Sequence, residues 1–284
     1  MDLERSYWLC QQITRHEAKN FYYAFITLPR EKRRAIYAVY AFCREADDIA
    51  DADSSIEEKK IQLDKLRTRL DGARAGDTQG GTDIALSDAI TRFAIDSQDL
   101  AHVIDGVEMD LVISRYETFL DLQLYCYRVA SAVGLSVLPI LAGGGERLPA
   151  EAREAGETLG LGMQLANIVR DVAEDIAIDR VYLPQEDLRR FGVTEEMLRV
   201  GMMNERMRDL LSFESKRAKS YMREGKHVSE FLPRNARRCI ALLGTIYTRI
   251  LEMAATRGYD VFQERLSLSS RQKVGLILHT WFGR

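Results

Sequence analysis

Apolar residues recur at spacings of three and four along most of this chain and seldom alternate one by one. The first spacing stacks side chains on one face of a helix, and the second would line one face of a strand. The pattern predicts helices over 3–19, 20–27, 30–51, 55–71, 83–95, 99–112, 118–141, 149–177, 185–189, 194–225, 229–256 and 268–280. Glycine and aspartate concentrate in "DGARAGDTQGGTD" (71–83), and "GGGERLP" (143–149) ends one helix and starts another. Neither break is long enough to join separately folded units, so the expectation is a single all-α domain over 1–284.

Two of these helices carry carboxylates where an apolar approach leads the reader to expect core. Ile36, Val39, Tyr40 and Phe42 run into Asp47, Asp48 and Asp51. Like charges at i and i+4 cost an isolated helix about 0.2–0.5 kcal/mol, so something cationic is needed to offset them. The second helix lies within "LGLGMQLANIVRDVAEDIAIDRVYLP" (159–184). There Gly160, Gln164, Asn167, Asp171 and Asp175 step by four, three, four and four, forming one stripe. Tyr40, Arg44, Asp47 and Asp51 make the matching stripe on the first. A lone D-x-x-x-D usually does no more than lie on a solvated face. Two stripes that both begin with uncharged hydrogen-bonding groups and end in paired carboxylates point instead to a shared cation.

Facing each other, the stripes would set four carboxylates around a space between helices. Hard divalent cations take oxygen ligands, and Mg²⁺ commonly takes one or two carboxylates, water and phosphate oxygens. No His or Cys stands in either stripe, which argues against zinc. The spacing suggests a Mg²⁺-diphosphate site, with Arg44 and Arg170 placed to clamp phosphate oxygens, to orient the carboxylates by ion pairs, or both.

Composition narrows the partners. Of 284 residues, 46% are hydrophobic and 29% charged, and the net charge of −3 provides no basic field to recruit nucleic acid. Cys10, Cys43, Cys126 and Cys239 are scattered among apolar neighbours with no C-x-x-C pair, as expected for buried thiols in a reducing compartment. "MDLERSYWLC" lacks the basic start and apolar run of a secretory leader, and no stretch reads as a span of roughly 20 apolar residues. The expectation is a cytoplasmic protein, with peripheral contact at the inner face of the membrane as an added possibility. In "RQKVGLILHTWFGR" (271–284), Val274, Ile277, Leu278 and Trp281 share a helical face flanked by Arg271, Lys273 and Arg284. That face suits either a final helix docked on the bundle or an interfacial contact with anionic lipid.

With these motifs in view, the chain resembles the squalene/phytoene synthase family, the head-to-head prenyl transferases. "DDIAD" (47–51) matches the family's first aspartate-rich motif, "YCYRVASAVGLSVLPIL" (125–141) its central signature, and 159–184 its second aspartate-rich motif. The likeness runs from about residue 6 to 265. It implies an all-helical isoprenoid-synthase bundle with a central cavity. There, two prenyl diphosphates join to a cyclopropylcarbinyl diphosphate that is then rearranged. By position, Asp47, Asp51, Asp171 and Asp175 match the Mg²⁺-binding carboxylates. Gln164 and Asn167 match residues supporting the metal–diphosphate cluster, and Arg44, Arg170, Tyr247 and Arg265 lie near the diphosphates. Tyr40, Tyr125 and Tyr182 match aromatic residues near the reacting carbons or diphosphates. Among all these, Tyr40, Arg44, Tyr125 and Arg170 are the expected catalytic residues. Lys19, Asn20 and Phe21 are assigned to substrate binding, and Phe25, Tyr37, Val129 and Gly134 to the pocket.

The subfamily signals diverge. Where many members carry serine-lysine-serine-phenylalanine, this chain reads "AKNF" (18–21), and an asparagine before that phenylalanine is similar to a bacterial squalene-forming branch. "RYETFLDLQLYCYRVASAVGL" (115–135) is closer to carotenoid-type synthases. Bulk at Phe25 and Tyr37, placed at the far end of the cavity, favours two farnesyl units and a thirty-carbon product: squalene, hydroxysqualene or dehydrosqualene. The alternatives are phytoene synthesis from two geranylgeranyl diphosphates, or a non-catalytic prenyl-lipid-binding or assembly homologue. NADPH use stays open, since no G-x-G-x-x-G is present and the family's reductants bind without one. A monomer or weak homodimer is expected.

Overall fold

The computed structural model describes residues 1–17, 19–145, 147–269, 271–272 and 275–276, without the side chains of 19–21. Among them, fourteen α-helices run in order: α1 (Leu3–Glu17), α2 (Lys19–Phe25), α3 (Arg30–Asp51), α4 (Ile56–Ala75), α5 (Asp83–Phe93), α6 (Ser97–Asp110) and α7 (Phe119–Cys126). They continue with α8 (Ala132–Ala142), α9 (Ala150–Arg170), α10 (Val172–Ala177), α11 (Gln185–Phe191), α12 (Glu195–Arg199), α13 (Glu205–Gly225) and α14 (Arg234–Thr256). The described residues contain no strand, only an isolated bridge between Arg115 and Val181. The described residues thus form an all-α bundle, as the apolar spacing predicts.

Local chemistry sets the helix ends. A capping box starts α4, where the Ser55 side chain accepts from Glu58 N–H and the Glu58 side chain answers to Ser55 N–H. That helix runs past its predicted end at 71 to Ala75, because Gly76 at φ +79° supplies the left-handed stop that residues with a Cβ resist.

Three predicted helices are interrupted. Within 118–141, a π turn (Tyr127–Ser131) joins α7 to α8. Within 149–177, Asp171 leaves helical geometry at φ −101° and ψ 13°, ending α9 and opening α10. Within 194–225, Gly201 at φ +61° turns the chain after α12, and the Asn204 side chain caps α13 by accepting from Met207 N–H. The predicted 268–280 helix lies largely outside the described residues.

Helix α9 is the axis of the bundle, packed by α13, α8, α14, α7 and the π turn. Close approach there depends on glycine. A Cβ on Gly162 would come within 2.6 Å of Met222 N on α13, and one on Gly160 within 2.6 Å of Ser131 Cα in the π turn. Gly160 therefore serves helix packing rather than the polar stripe that sequence spacing assigned it to. A contiguous apolar cluster runs through all these helices, and all four cysteines are buried free thiols.

Two stretches, Phe119–Ala142 and Arg234–Thr256, are long and apolar enough to cross a bilayer by length and composition, contrary to the sequence expectation. Each is about half buried within the bundle. Their hydrophobicity belongs to core packing, with α14 laid against α2 and α9.

Candidate active site

The two acidic stripes face one cleft of about 400 Å³. Helix α3 contributes Arg44, Asp47 and Asp51; α9 and its break contribute Gln164, Asn167 and Asp171, and α10 contributes Asp175. Asp110 from α6, Tyr125 from α7, and Arg180 and Tyr182 from the segment after α10 complete the polar wall. The break at Asp171 ends α9 and opens α10, with Asp171 and Asp175 both on the cleft.

The carboxylates outnumber the cations available to them. Burial first, then the charges of Asp51, Asp110 and Asp48, push Asp47 up to about 7 against the pull of Arg44. Burial with Asp171 and Glu174 pushes Asp175 up to about 7 as well. Burial would also raise Asp171, yet its hydrogen bond and charge pairing with Arg170, joined by Arg265, hold its carboxyl below the usual range. Arg170 donates Nε–H to Asp171 Oδ1 at 2.7 Å, and Arg265 donates to the same oxygen at 3.0 Å.

Hydrogen bonds left unmade mark where a ligand would sit. Arg44 pairs through Nη2 with Asp48 at 2.5 Å rather than with Asp47, and its buried Nε has no partner. Asn167 donates Nδ2–H to Gln164 Oε1 at 3.2 Å, while its own buried Oδ1 is unpartnered. A buried donor or acceptor without a partner costs about 1–3 kcal/mol; an incoming diphosphate oxygen would accept from Arg44 Nε–H, and a hydrated cation would satisfy Asn167 Oδ1.

Opposite these groups stands an aromatic cage. Asp110 accepts from Tyr125 Oη–H through Oδ2 at 2.9 Å and from Tyr182 Oη–H through Oδ1 at 2.8 Å. The two rings stack at 5.0 Å, and Tyr116 packs on them at 5.3 and 6.0 Å. Arg180 donates Nη2–H to the Asp110 carbonyl at 3.2 Å. Sequence reasoning missed Asp110 and Tyr116 and noted Arg180 only as a motif element without a role. Asp110 carries the same signal as Asp51, a carboxylate ending an apolar helix, but Val107 and Gly106 stand one turn before it where Asp51 has Asp47.

Other candidates sit around the cleft or apart from it. Tyr40 lies one turn before Arg44, and burial pushes its phenol up to about 12. Tyr247 is buried on α14 in hydrogen-bond contact with Asn167. Phe25 and Tyr37 are core residues, Tyr37 stacking on Tyr22 at 6.0 Å, and Val129 and Gly134 belong to the π turn and α8. None of these four is among the described residues lining the cleft, because their side chains or positions are taken up in helix packing. The side chains of Lys19, Asn20 and Phe21 lie outside the described residues.

The donor set fits the Mg²⁺ that the motifs imply. The lining offers aspartate and amide oxygens with no His or Cys. Among the described residues, no three of His, Cys, Asp or Glu converge enough to hold a metal by themselves. Paired aspartates on opposite walls accord with a cation whose shell is completed by water and phosphate oxygens.

Comparisons with known proteins agree with this geometry. The family described as squalene/phytoene synthase matches residues 14–272. The chain is 37% identical over 290 residues to a 15-cis-phytoene synthase of Synechocystis sp., covering 98% of this chain and 85% of that protein. It is 35% identical over 280 residues to a 15-cis-phytoene synthase of Synechococcus elongatus, covering 96% and 91%. Among solved structures, a dehydrosqualene synthase in complex with ligand superposes with a TM-score of 0.90 at 31% identity, covering 98% of this chain and 96% of that one. The squalene synthase HpnC from Alicyclobacillus acidocaldarius follows at 0.84 and 28%, covering 91% and 96%.

Proposed function

The chain belongs to the squalene/phytoene synthase family of prenyltransferases, and from that premise we propose that it joins two geranylgeranyl diphosphates head to head to give phytoene. The observation that carries the diphosphate chemistry is the pair of aspartate walls, Asp47 with Asp51 and Asp171 with Asp175, opening on one cleft beside an unpartnered Arg44 Nε. The nearly full-length likeness to proteins named phytoene synthase supports the forty-carbon product over the thirty-carbon one that residue bulk at Phe25 and Tyr37 favoured.

In this reading Asp47, Asp51, Asp171 and Asp175 would hold Mg²⁺, which when bound would supply positive charge to stabilise a departing pyrophosphate. Arg44 adds a guanidinium donor to the diphosphate oxygens, and Arg170 and Arg265 fix the Asp171 carboxylate. Tyr125 and Tyr182 line the same cleft, and aromatic rings near an ionising allylic carbon stabilise a cation by roughly 0.5–2 kcal/mol. Asp110 holds both phenols by their hydroxyls, which keeps the rings from turning an oxygen nucleophile toward that carbon. Two pyrophosphates and a proton leave as the forty-carbon chain forms, so this reaction requires no reductant and NADPH has no part in it.

Incubating the purified protein with Mg²⁺ and either geranylgeranyl or farnesyl diphosphate, with and without NADPH, tests the reading by product mass. A forty-carbon hydrocarbon formed without NADPH is expected. A thirty-carbon product alone would return the assignment to the squalene or dehydrosqualene type, which the likeness to the dehydrosqualene synthase structure favours.

A further inference from the structure

Asp47 and Asp48 are neighbours in the chain and face different spaces. Asp47 and Asp51 line the cleft, whereas Asp48 lines a second pocket of about 380 Å³ with His16, Glu17, Ala41 and Glu45. Arg44 stands between the two spaces and lines both.

The helix gives Arg44 a choice of partner. Asp47 lies three positions further along α3 and Asp48 four, and both spacings bring charged side chains of a helix within reach. The guanidinium is on Asp48, with Nη2 2.5 Å from Oδ1, although the charges of Asp47 and Glu17 also draw it. That pair sits toward water, the Asp48 side chain being 59% exposed, while Arg44 Nε is buried and unpartnered. The other choice would disable the site. A guanidinium closing on Asp47 would occupy the carboxylate oxygens that a cation needs and turn its own donors away from a diphosphate.

We propose that Asp48 is a positioning residue: by holding Arg44 it keeps Asp47 open to a cation and Arg44 Nε open to diphosphate oxygens, a role that rests on the prenyl-diphosphate reading. Without Asp48, Arg44 closes on Asp47, and a cation must displace the arginine before it can bind. The doubled aspartate at 47–48 thus divides two tasks. One carboxylate faces the cation, and the other restrains the cation's competitor.

Calorimetric titration of the full chain with inorganic pyrophosphate in the presence of Mg²⁺ reads this effect without turnover. Asp48→Asn should weaken binding about two- to fivefold, the range that an exposed ion pair spans, and Asp48→Glu, which keeps a carboxylate for Arg44, should restore it. Unchanged cooperative melting of both variants shows that the fold is intact. Losing a negative charge near a cation weakens binding by itself, so the deciding comparison is made without the arginine. In an Arg44→Gln background, Asp48→Asn should have no further effect, because no guanidinium is left to hold. Arg44→Met serves as the background if the amide variant does not melt cooperatively. An equal loss with and without Arg44 would reveal a simple field effect and overturn the proposal, as would unchanged binding by Asp48→Asn when Arg44 is present. If the unaltered chain does not bind Mg²⁺ and pyrophosphate, the diphosphate reading fails and the proposal with it. Binding that depends on Asp48 through Arg44, without any prenyl product, would overturn the reaction and leave the positioning role standing.

Discussion

Arg265 donates Nε–H to Asp171 at 3.0 Å from 94 positions further along the chain. Its side chain is more than half exposed, whereas Arg170, on the other side of the same carboxylate, is nearly buried. The two play different parts. An exposed ion pair contributes about 0–1 kcal/mol to stability, so Arg265→Gln should barely move the melting temperature. Aimed at the mouth of the diphosphate site, however, it should lower turnover about tenfold or more. Melting and steady-state rates measured on one preparation separate the effects, and a variant with normal turnover would place Arg265 outside the machinery.

Asp47→Asn and Asp171→Asn should each cut turnover by orders of magnitude, while moving stability in opposite directions. Like charges at i and i+4 repel, so on spacing alone either change would relieve repulsion and stabilise the empty protein. Asp47 fits that picture, since its carboxyl is pushed up to about 7 and a neutral amide removes the cost of charging it. Asp47 is exposed where the cleft opens, so solvent screens much of that cost; the gain should be no more than about 1 kcal/mol above pH 7 and fade toward pH 4, where Asp47 is already protonated. Asp171 instead partners Arg170 and Arg265, so its amide leaves a buried guanidinium short of an anion and should destabilise by about 1–3 kcal/mol. Denaturant melts of both variants at pH 8 decide the matter, and stabilisation by Asp171→Asn would contradict the pairing.

The contrast shows where the sequence was legible. Periodicity placed most helices within a few residues, because an amphipathic face is written directly into the spacing of apolar positions. The aspartates were found because they break that spacing twice in the same way. The breaks at Asp171 and at Tyr127–Ser131 were invisible, since the apolar period continues through both and only packing against neighbouring helices bends the chain there. Asp110 escaped for a related reason, as its two phenol partners, Tyr125 and Tyr182, lie 15 and 72 positions away.

A second carboxylate cluster, remote from the cleft, gives a pH dependence that can be checked. Arg217 bonds Asp187 at 2.8 Å and Glu214 at 2.9 Å, with both carboxylates buried. Burial, only partly offset by Arg217 and reinforced by Asp187, pushes Glu214 up to about 8 from its ordinary 4.5. The folded protein thus holds a proton that the unfolded chain releases near 4.5. The stabilisation is fully present below that pH and is lost as pH rises through about 8. Glu214→Gln keeps a donor for Asp187 and an acceptor for Arg217 without the titration. Its melting temperature should therefore exceed that of the unaltered chain above pH 8 and converge with it in mild acid. Parallel melting curves across pH 5–9 would show that Glu214 stays ionised in the fold.

The π turn offers the last test, because it couples helix packing to the tyrosine cage. Gly160 on α9 faces Ser131, the final residue of that turn, and an added Cβ would stand 2.6 Å from Ser131 Cα and 3.0 Å from its N. Those are backbone atoms, so relief requires moving the turn itself rather than rotating a side chain. The turn follows directly on α7, whose Tyr125 is held by Asp110 at 2.9 Å. Gly160→Ala should cost about 1–3 kcal/mol of stability through overpacking. Turnover should fall further than that loss of folded protein explains, since misplacing a cleft side chain by a fraction of an ångström weakens contacts made in the transition state. Gly244→Ala on α14 is the control. No atom lies within 4 Å of the added Cβ, and replacing a helical glycine by alanine should gain about 0.5–1 kcal/mol with unchanged rates. If Gly160→Ala melts like the control and turns over normally, the π turn does not position Tyr125.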